Sequence, residues 1–100
     1  MNPESSLYSQ MHHVYLLRSQ KDKIYYIGYA DDLDWRLKEH NKGKVSHTSK
    51  HKPWDLVYYE GYLSLQDAQK REKALKRFGK AYKILKLRIK DSLNEKEGAV

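Results

Sequence analysis

One hundred residues without a cysteine, carrying 20 Lys and Arg against 13 Asp and Glu for a net charge of +7, suffice for one compact domain and exclude disulfides and thiolate-bound zinc. No apolar run is long enough to span a membrane. The opening MNPESSLYSQ lacks the basic start and apolar stretch of a secretory signal, so a soluble cytoplasmic protein is expected, with residues 1–11 as a disordered polar lead-in.

Two segments, His13 to Arg18 (HVYLLR) and Ile24 to Tyr29 (IYYIGY), are rich in β-branched, aromatic and apolar residues. The polar connector SQKDK between them has hairpin length, so an antiparallel hairpin is predicted. If its register pairs Arg18 with Lys23, Tyr15 and Tyr26 face each other on one side of the sheet; a slip of one residue separates them. Gly28 reads as a structural glycine marking a turn, a bulge or a close backbone approach. Asp31 is the expected N-cap of a first helix, DDLDWRLKEHNKG, which Gly43 ends. Residues 44–53 form a basic polar loop containing His47 and His51. Trp54 to Leu63 reads as a third strand. Ser64 then opens a second helix, with Asp67 as its capping-box partner, and Gly79 is its expected stop. Lys80 to Leu93 reads as a third helix with the apolar stripe Ala81, Ile84, Leu85 and Ile89. The tail from residue 94 is expected to fray. The order β-β-α-β-α-α predicts an α+β domain over residues 12–93, a three-stranded antiparallel sheet flanked by helices.

Several polar residues sit where a pure scaffold would not put them. Leu65, Ala68 and Leu75 share one face of the second helix at helical spacing, and Glu72 falls on that same face. A carboxylate there is expensive unless it is paired or binds a metal. Metal binding and a salt bridge to Arg71 or another nearby base are weighted equally from the helix alone. On the first helix, Arg36 and His40 lie one turn apart and flank the stripe of Leu33 and Leu37. Arg36 could hold a phosphate bidentately, and His40 could move a proton near neutral pH. An ion pair and a capping histidine are the plainer explanations for these two. Residues 70–90 hold ten basic residues and a single acid, Glu72. Lys70, Lys73, Lys76, Arg77, Lys80 and Lys83 are the expected phosphate contacts of a polyanionic partner, nucleic acid being the commonest. A solubilising helix face is the plain alternative; insertion into a membrane is disfavoured because the apolar faces are needed for the core.

Together these residues resemble the GIY-YIG nuclease family. The resemblance rests on VYL at 14–16, YIG at 26–28, DLDWRLKEHNKG at 32–43, PWDLVYYE at 53–60 and AQKREKALK at 68–76, in that order and spacing. It covers most of residues 12–90 and points to the small stand-alone members, similar to the catalytic domain of the excision-repair nuclease. It implies Tyr15 as the base that takes a proton from the attacking water, Tyr26 as the second-motif tyrosine, Gly28 as the motif glycine and Arg36 as the phosphate-stabilising arginine. His40 takes a position that the family fills with histidine or tyrosine, and Glu72 that of the metal-binding glutamate. One Mg²⁺ or Mn²⁺ is the implied cofactor, and a 5′ phosphate and a 3′ hydroxyl are the implied products. Tyrosine is a poor base at its usual pKa of about 10, so a nearby cation is expected to favour the phenolate, the field coming from Arg36 or from the metal-bound phosphate region. The chain departs from the family at His13, where the first motif has glycine, and at Tyr29, where many members have lysine. Where many members carry an asparagine about three turns after the glutamate, Lys80 and Lys83 are the nearest polar residues.

The expected function is metal-dependent endonuclease cleavage of nucleic acid, DNA rather than RNA, by structure rather than sequence or with targeting by a partner protein. The alternative is a module of the same fold that binds nucleic acid and cuts slowly or not at all; a weaker third is a structural subunit of a larger repair complex.

Overall fold

A computed structural model of the chain describes residues 11–95. The readings of the lead-in up to residue 10 and of the tail from residue 96 lie outside the described residues. The elements are β1 (His12–Ser19), β2 (Tyr25–Ala30), α1 (Leu33–Asn41), a 3₁₀ turn (Ser49–His51), β3 (Trp54–Tyr62), α2 (Leu65–Arg77), α3 (Gly79–Arg88) and α4 (Lys90–Asn94). The strands form one antiparallel sheet in the order β2-β1-β3. This is the α+β architecture predicted from the sequence.

β1 is central, and it is covered on both faces. Its side chains alternate between them. Val14 and Leu16 face α2, α3 and α4, packing with Ala68, Leu75, Leu85 and Ile89. Tyr15 and Leu17 point to the opposite face, where α1 brings His40 against Tyr15. That double burial explains why β1 reads as a continuous apolar run rather than an alternating one. Ala68 has no exposed surface, so α2 can approach the sheet closely there, and a larger residue would force overpacking.

Local chemistry moved several boundaries. β1 runs on to Ser19, and the Ser19 hydroxyl accepts from the backbone N–H of Lys21 and Asp22. Lys23 takes a left-handed conformation at φ 62°. The connector, residues 20–24, keeps the predicted five-residue length but lies one residue later, and Arg18 pairs with Tyr25 instead of Lys23. Tyr15 lies opposite Gly28, and Tyr26 opposite Leu17. The shift is two residues, so it preserves the face: Tyr15 and Tyr26 are diagonal neighbours rather than an opposed pair. Asp32, not Asp31, caps α1, accepting from the Trp35 N–H at 3.0 Å. Asp31 instead binds His12 and the Tyr29 hydroxyl.

Gly79 does not stop α2. The break comes one residue earlier, at Phe78, which is extended (φ −108°, ψ 101°) and leaves Gly79 as the first residue of α3. The third predicted helix is two: Ile89 (φ −105°, ψ 27°) separates α3 from α4 while its side chain stays in the core. Two predicted core residues are exposed. Ile84 is 51% accessible on the outer side of α3, and Leu65 is 36% accessible at the first turn of α2. Among the described residues no helix is long and apolar enough to cross a membrane.

Candidate active site

The site begins at the middle of β1. Tyr15 is 2% exposed, and its ring lies against Gly28 of the neighbouring strand. A Cβ at residue 28 would fall 2.3 Å from the Tyr15 hydroxyl oxygen. Gly28 is thus not at a turn. It sits inside β2, where the absence of a side chain makes room for Tyr15; this is the close approach among the three readings of that glycine.

α1 supplies the next layer. His40, in its last turn, is fully buried. The Tyr15 hydroxyl and His40 Nε2 are 2.7 Å apart, and His40 Nδ1 is 2.7 Å from Thr48 Oγ1. Thr48 in turn donates to the Val45 carbonyl at 3.3 Å. Tyr26 packs edge-on against both Tyr15 and His40, with ring centroids 6.3 and 5.2 Å away. Trp54 closes the cluster, tilted against Tyr26 and donating its indole N–H to the Thr48 carbonyl at 3.0 Å.

Burial sets the protonation states. It pushes the Tyr15 hydroxyl up to about 12, and the neighbouring Arg36 guanidinium, which pulls it down, does not overcome this. The expectation that Arg36 would favour a standing phenolate is therefore corrected: desolvation of the charged form outweighs the cation. For His40, burial first and the charge of Arg36 second hold the ring down at about 4. His40 is a neutral imidazole throughout the physiological range, not a group that titrates near neutrality. Arg36 has a buried Nε that lacks a hydrogen-bond partner among the described residues. A buried donor of this kind is rare in a folded protein; closed to solvent, it is not itself the atom that meets an incoming anion, which falls to the accessible part of the half-buried guanidinium.

α2 packs on the other face of the sheet and meets the cluster at the β2 edge. Its Lys76 ammonium lies 5.5 Å from the centroid of the Tyr26 ring and 3.0 Å from the Glu72 carboxylate. The charge of Glu72 also raises the Tyr15 hydroxyl. Glu72 is only half-buried, and its ion-pair partner is Lys76, not Arg71. Arg71 is bound to Glu60, a carboxylate that also accepts from Tyr58 and Tyr62.

The fold therefore brings Tyr15, Tyr26, Arg36, His40, Glu72 and Lys76 to one neighbourhood. The other predicted phosphate contacts lie outside it. Lys70 and Lys73 line a shallow depression with Gln66 and Gln69 on the solvent side of α2. Arg77, Lys80 and Lys83 are exposed, the first at the end of α2 and the others on α3. Sequence reasoning missed Thr48. It lies in a segment without periodicity, and only the folded loop carries it to His40. It also set Lys76 among the outer bases, although position 76 follows Glu72 by one helical turn and could have been paired with it.

The donor set limits which metal fits. Among the described residues no three His, Asp or Glu side chains are grouped so as to hold a metal ion, so a closed protein cage is absent from them. Glu72 alone offers a hard carboxylate oxygen at the edge of the cluster. That suits a cation of the Mg²⁺ type, which keeps its waters and is bound by one or two carboxylates together with substrate phosphate.

The GIY-YIG catalytic domain model matches residues 11–96. The UPF0213 protein of Clostridium perfringens is 37% identical over 91 residues, covering 87% of this chain and 97% of that protein. The UPF0213 protein of Staphylococcus saprophyticus is 35% identical over 74 residues, covering 73% of this chain and 89% of that one. The solution NMR structure of the UPF0213 protein of Bacillus halodurans is 31% identical, with 77% of this chain and 84% of that chain covered and a TM-score of 0.48. The family match spans all of the described residues, and the relatives align over most of their own length. The chain belongs to the GIY-YIG family, and its nearly full-length match to UPF0213 proteins puts it among the small single-domain members with a nuclease-like fold.

Proposed function

We propose that the protein is a divalent-metal-dependent endonuclease that hydrolyses phosphodiester bonds in nucleic acid, DNA rather than RNA, choosing its target by structure rather than sequence. The observation that carries this reading is the buried Tyr15 hydroxyl, hydrogen-bonded to a neutral histidine at 2.7 Å and flanked by Arg36 and Glu72, both of which act on its charge.

The reaction follows from these groups. Arg36 binds the scissile phosphate through the accessible part of its guanidinium and offsets the charge that builds on the phosphoryl oxygens. Tyr15 is protonated at rest, so it acts as a relay. As the attacking water gives a proton to the Tyr15 oxygen, the original hydroxyl proton passes to His40 Nε2. The water oxygen bonds to phosphorus, the bond to the 3′ oxygen breaks, and that oxygen takes a proton from solvent. A 5′ phosphate and a 3′ hydroxyl result. The charge of the bound phosphate favours a protonated His40 at that moment, offsetting the burial that keeps the ring neutral in the free protein. Glu72 would hold the Mg²⁺ or Mn²⁺. When bound, that cation polarises the phosphate and stabilises the departing oxygen. Lys76, at the same edge, is placed to meet the strand's phosphates once Glu72 turns to a cation. The exposed bases of α2 and α3 extend the positive surface that draws the polyanion in.

The test is incubation of the purified chain with Mg²⁺ or Mn²⁺ and a panel of linear, flapped and branched DNA and RNA substrates. Cleavage of DNA that is abolished by chelation is the expected result. Binding without cleavage on every substrate would favour the binding module. One feature supports that second reading: Glu72 is already neutralised by Lys76.

A further inference from the structure

We infer that Thr48 is a positioning residue: its hydroxyl holds the neutral ring of His40 in the Nδ1–H tautomer, which leaves Nε2 bare to accept the proton of Tyr15. The inference deepens the nuclease reading, and in its use of the Tyr15 proton it rests on that reading; the tautomer itself can be measured without it.

The argument is a count of protons along one buried chain. A neutral imidazole carries one N–H and one bare nitrogen. His40 has an oxygen 2.7 Å from each: the Tyr15 hydroxyl at Nε2 and the Thr48 hydroxyl at Nδ1. Thr48 has a single hydroxyl proton, and it is directed to the Val45 carbonyl. Having given that proton away, Thr48 Oγ1 faces His40 as an acceptor, so Nδ1 must carry the ring proton. Nε2 is then the acceptor, and Tyr15 is the donor. All three contacts are satisfied at once. The other tautomer turns the threonine proton into the ring and takes it from Val45. It also leaves the Tyr15 proton facing an N–H, without His40 as its acceptor. Inside a protein such a loss is costly, because water does not replace the partner.

Thr48 is also held firmly enough to impose the choice. It is fully buried, and its carbonyl accepts from the Trp54 indole at 3.0 Å and from the His51 N–H at 3.1 Å. The His51 carbonyl accepts from the Ser19 hydroxyl on β1 at 2.5 Å. The loop is thus tied to the same strand that carries Tyr15.

The experiment is two-bond ¹⁵N–¹H NMR of the His40 ring in the full chain at neutral pH, for wild type, Thr48→Val and Thr48→Ser, with metal-dependent cleavage measured on the same samples. Wild type and Thr48→Ser are expected to show a protonated Nδ1. Thr48→Val, which lacks the acceptor, is expected to shift toward the Nε2–H form and to lose kcat by roughly a hundredfold with little change in KM, the scale of a lost orienting partner. Thr48→Ser should recover most of the rate. A wild-type ring protonated at Nε2 would overturn the inference. An unchanged tautomer in folded Thr48→Val would do the same. Should Thr48→Val not fold, wild type and Thr48→Ser still decide the matter. If the tautomers behave as expected and wild type cleaves nothing, the nuclease reading fails while the role of Thr48 at His40 stands.

Discussion

At the scale of single residues, the site is governed by space and burial more than by charge. Gly28 is needed because Tyr15 occupies the volume of its missing side chain. In Gly28→Ala the added Cβ would meet the Tyr15 hydroxyl at 2.3 Å, so the ring must leave its seat and lose His40. Cleavage is expected to fall by roughly a hundredfold or more, since small misplacements of reacting groups cost that much, while circular dichroism shows the fold retained. His40 makes a separate prediction through stability. Its folded value of about 4 lies below the ordinary 6.5, so the unfolded chain binds the proton more readily. The stabilisation is fully present above pH 6.5 and is lost as the pH falls toward 4, a span worth about 2–3 kcal/mol. Denaturant unfolding at pH 7 and pH 4.5 should show this loss in wild type and a smaller one in His40→Gln. The carboxyls of Asp31 and Glu60, which their partners hold below the usual range, lose their contribution only at lower pH. An equal loss in both proteins would mean that His40 is not buried as a neutral base.

At the scale of elements, α2 divides its labour by face. Ala68 and Leu75 enter the core, Glu72 and Lys76 reach the site at the β2 edge, and Lys70 and Lys73 face solvent. Because Glu72 is half-buried and paired at i,i+4, Glu72→Gln should change stability by no more than about 0.5 kcal/mol. Cleavage should nevertheless collapse at every Mg²⁺ concentration, with nucleic-acid binding preserved. A melting temperature that drops in step with activity would mark the carboxylate as structural. Reversing Lys70, Lys73, Lys80 and Lys83 to Glu should weaken binding to all sequences alike and flatten its salt dependence; binding that is unaffected would reduce these bases to a solvated surface. The elements were legible in the sequence because their periodicities are strong: the apolar runs of β1 and β2, and the Ala68–Leu75 stripe of α2. The candidate site residues Tyr15, Tyr26, Arg36, His40 and Glu72 stood out by their places on these elements, but pattern alone left plainer explanations open, and it is the resemblance to the GIY-YIG family that implies a role for each. What sequence could not supply was set by loop closure. The Ser19 turn moved the hairpin register by two residues, Phe78 and Ile89 broke helices that a periodic pattern would run through, and Thr48 reached His40 from a loop with no pattern of its own.

At the scale of the whole molecule, three strands carry the candidate site on one face and a core on the other. Helix α1 covers the first, and α2 and α3 the second, with α2 reaching round the β2 edge. The domain, read as residues 12–93, is proposed to work as a cutter whose basic helices gather the strand and whose Tyr15–His40 pair moves the proton. The most direct measurement is the metal-dependent cleavage rate of Tyr15→Phe, made on a sample whose melting temperature is recorded first. The variant keeps the ring and its packing against Gly28 and removes only the oxygen. The account predicts a folded protein whose cleavage is lower by roughly two to four orders of magnitude, the usual contribution of a positioned proton acceptor. A folded Tyr15→Phe that cleaves at close to the wild-type rate would contradict it.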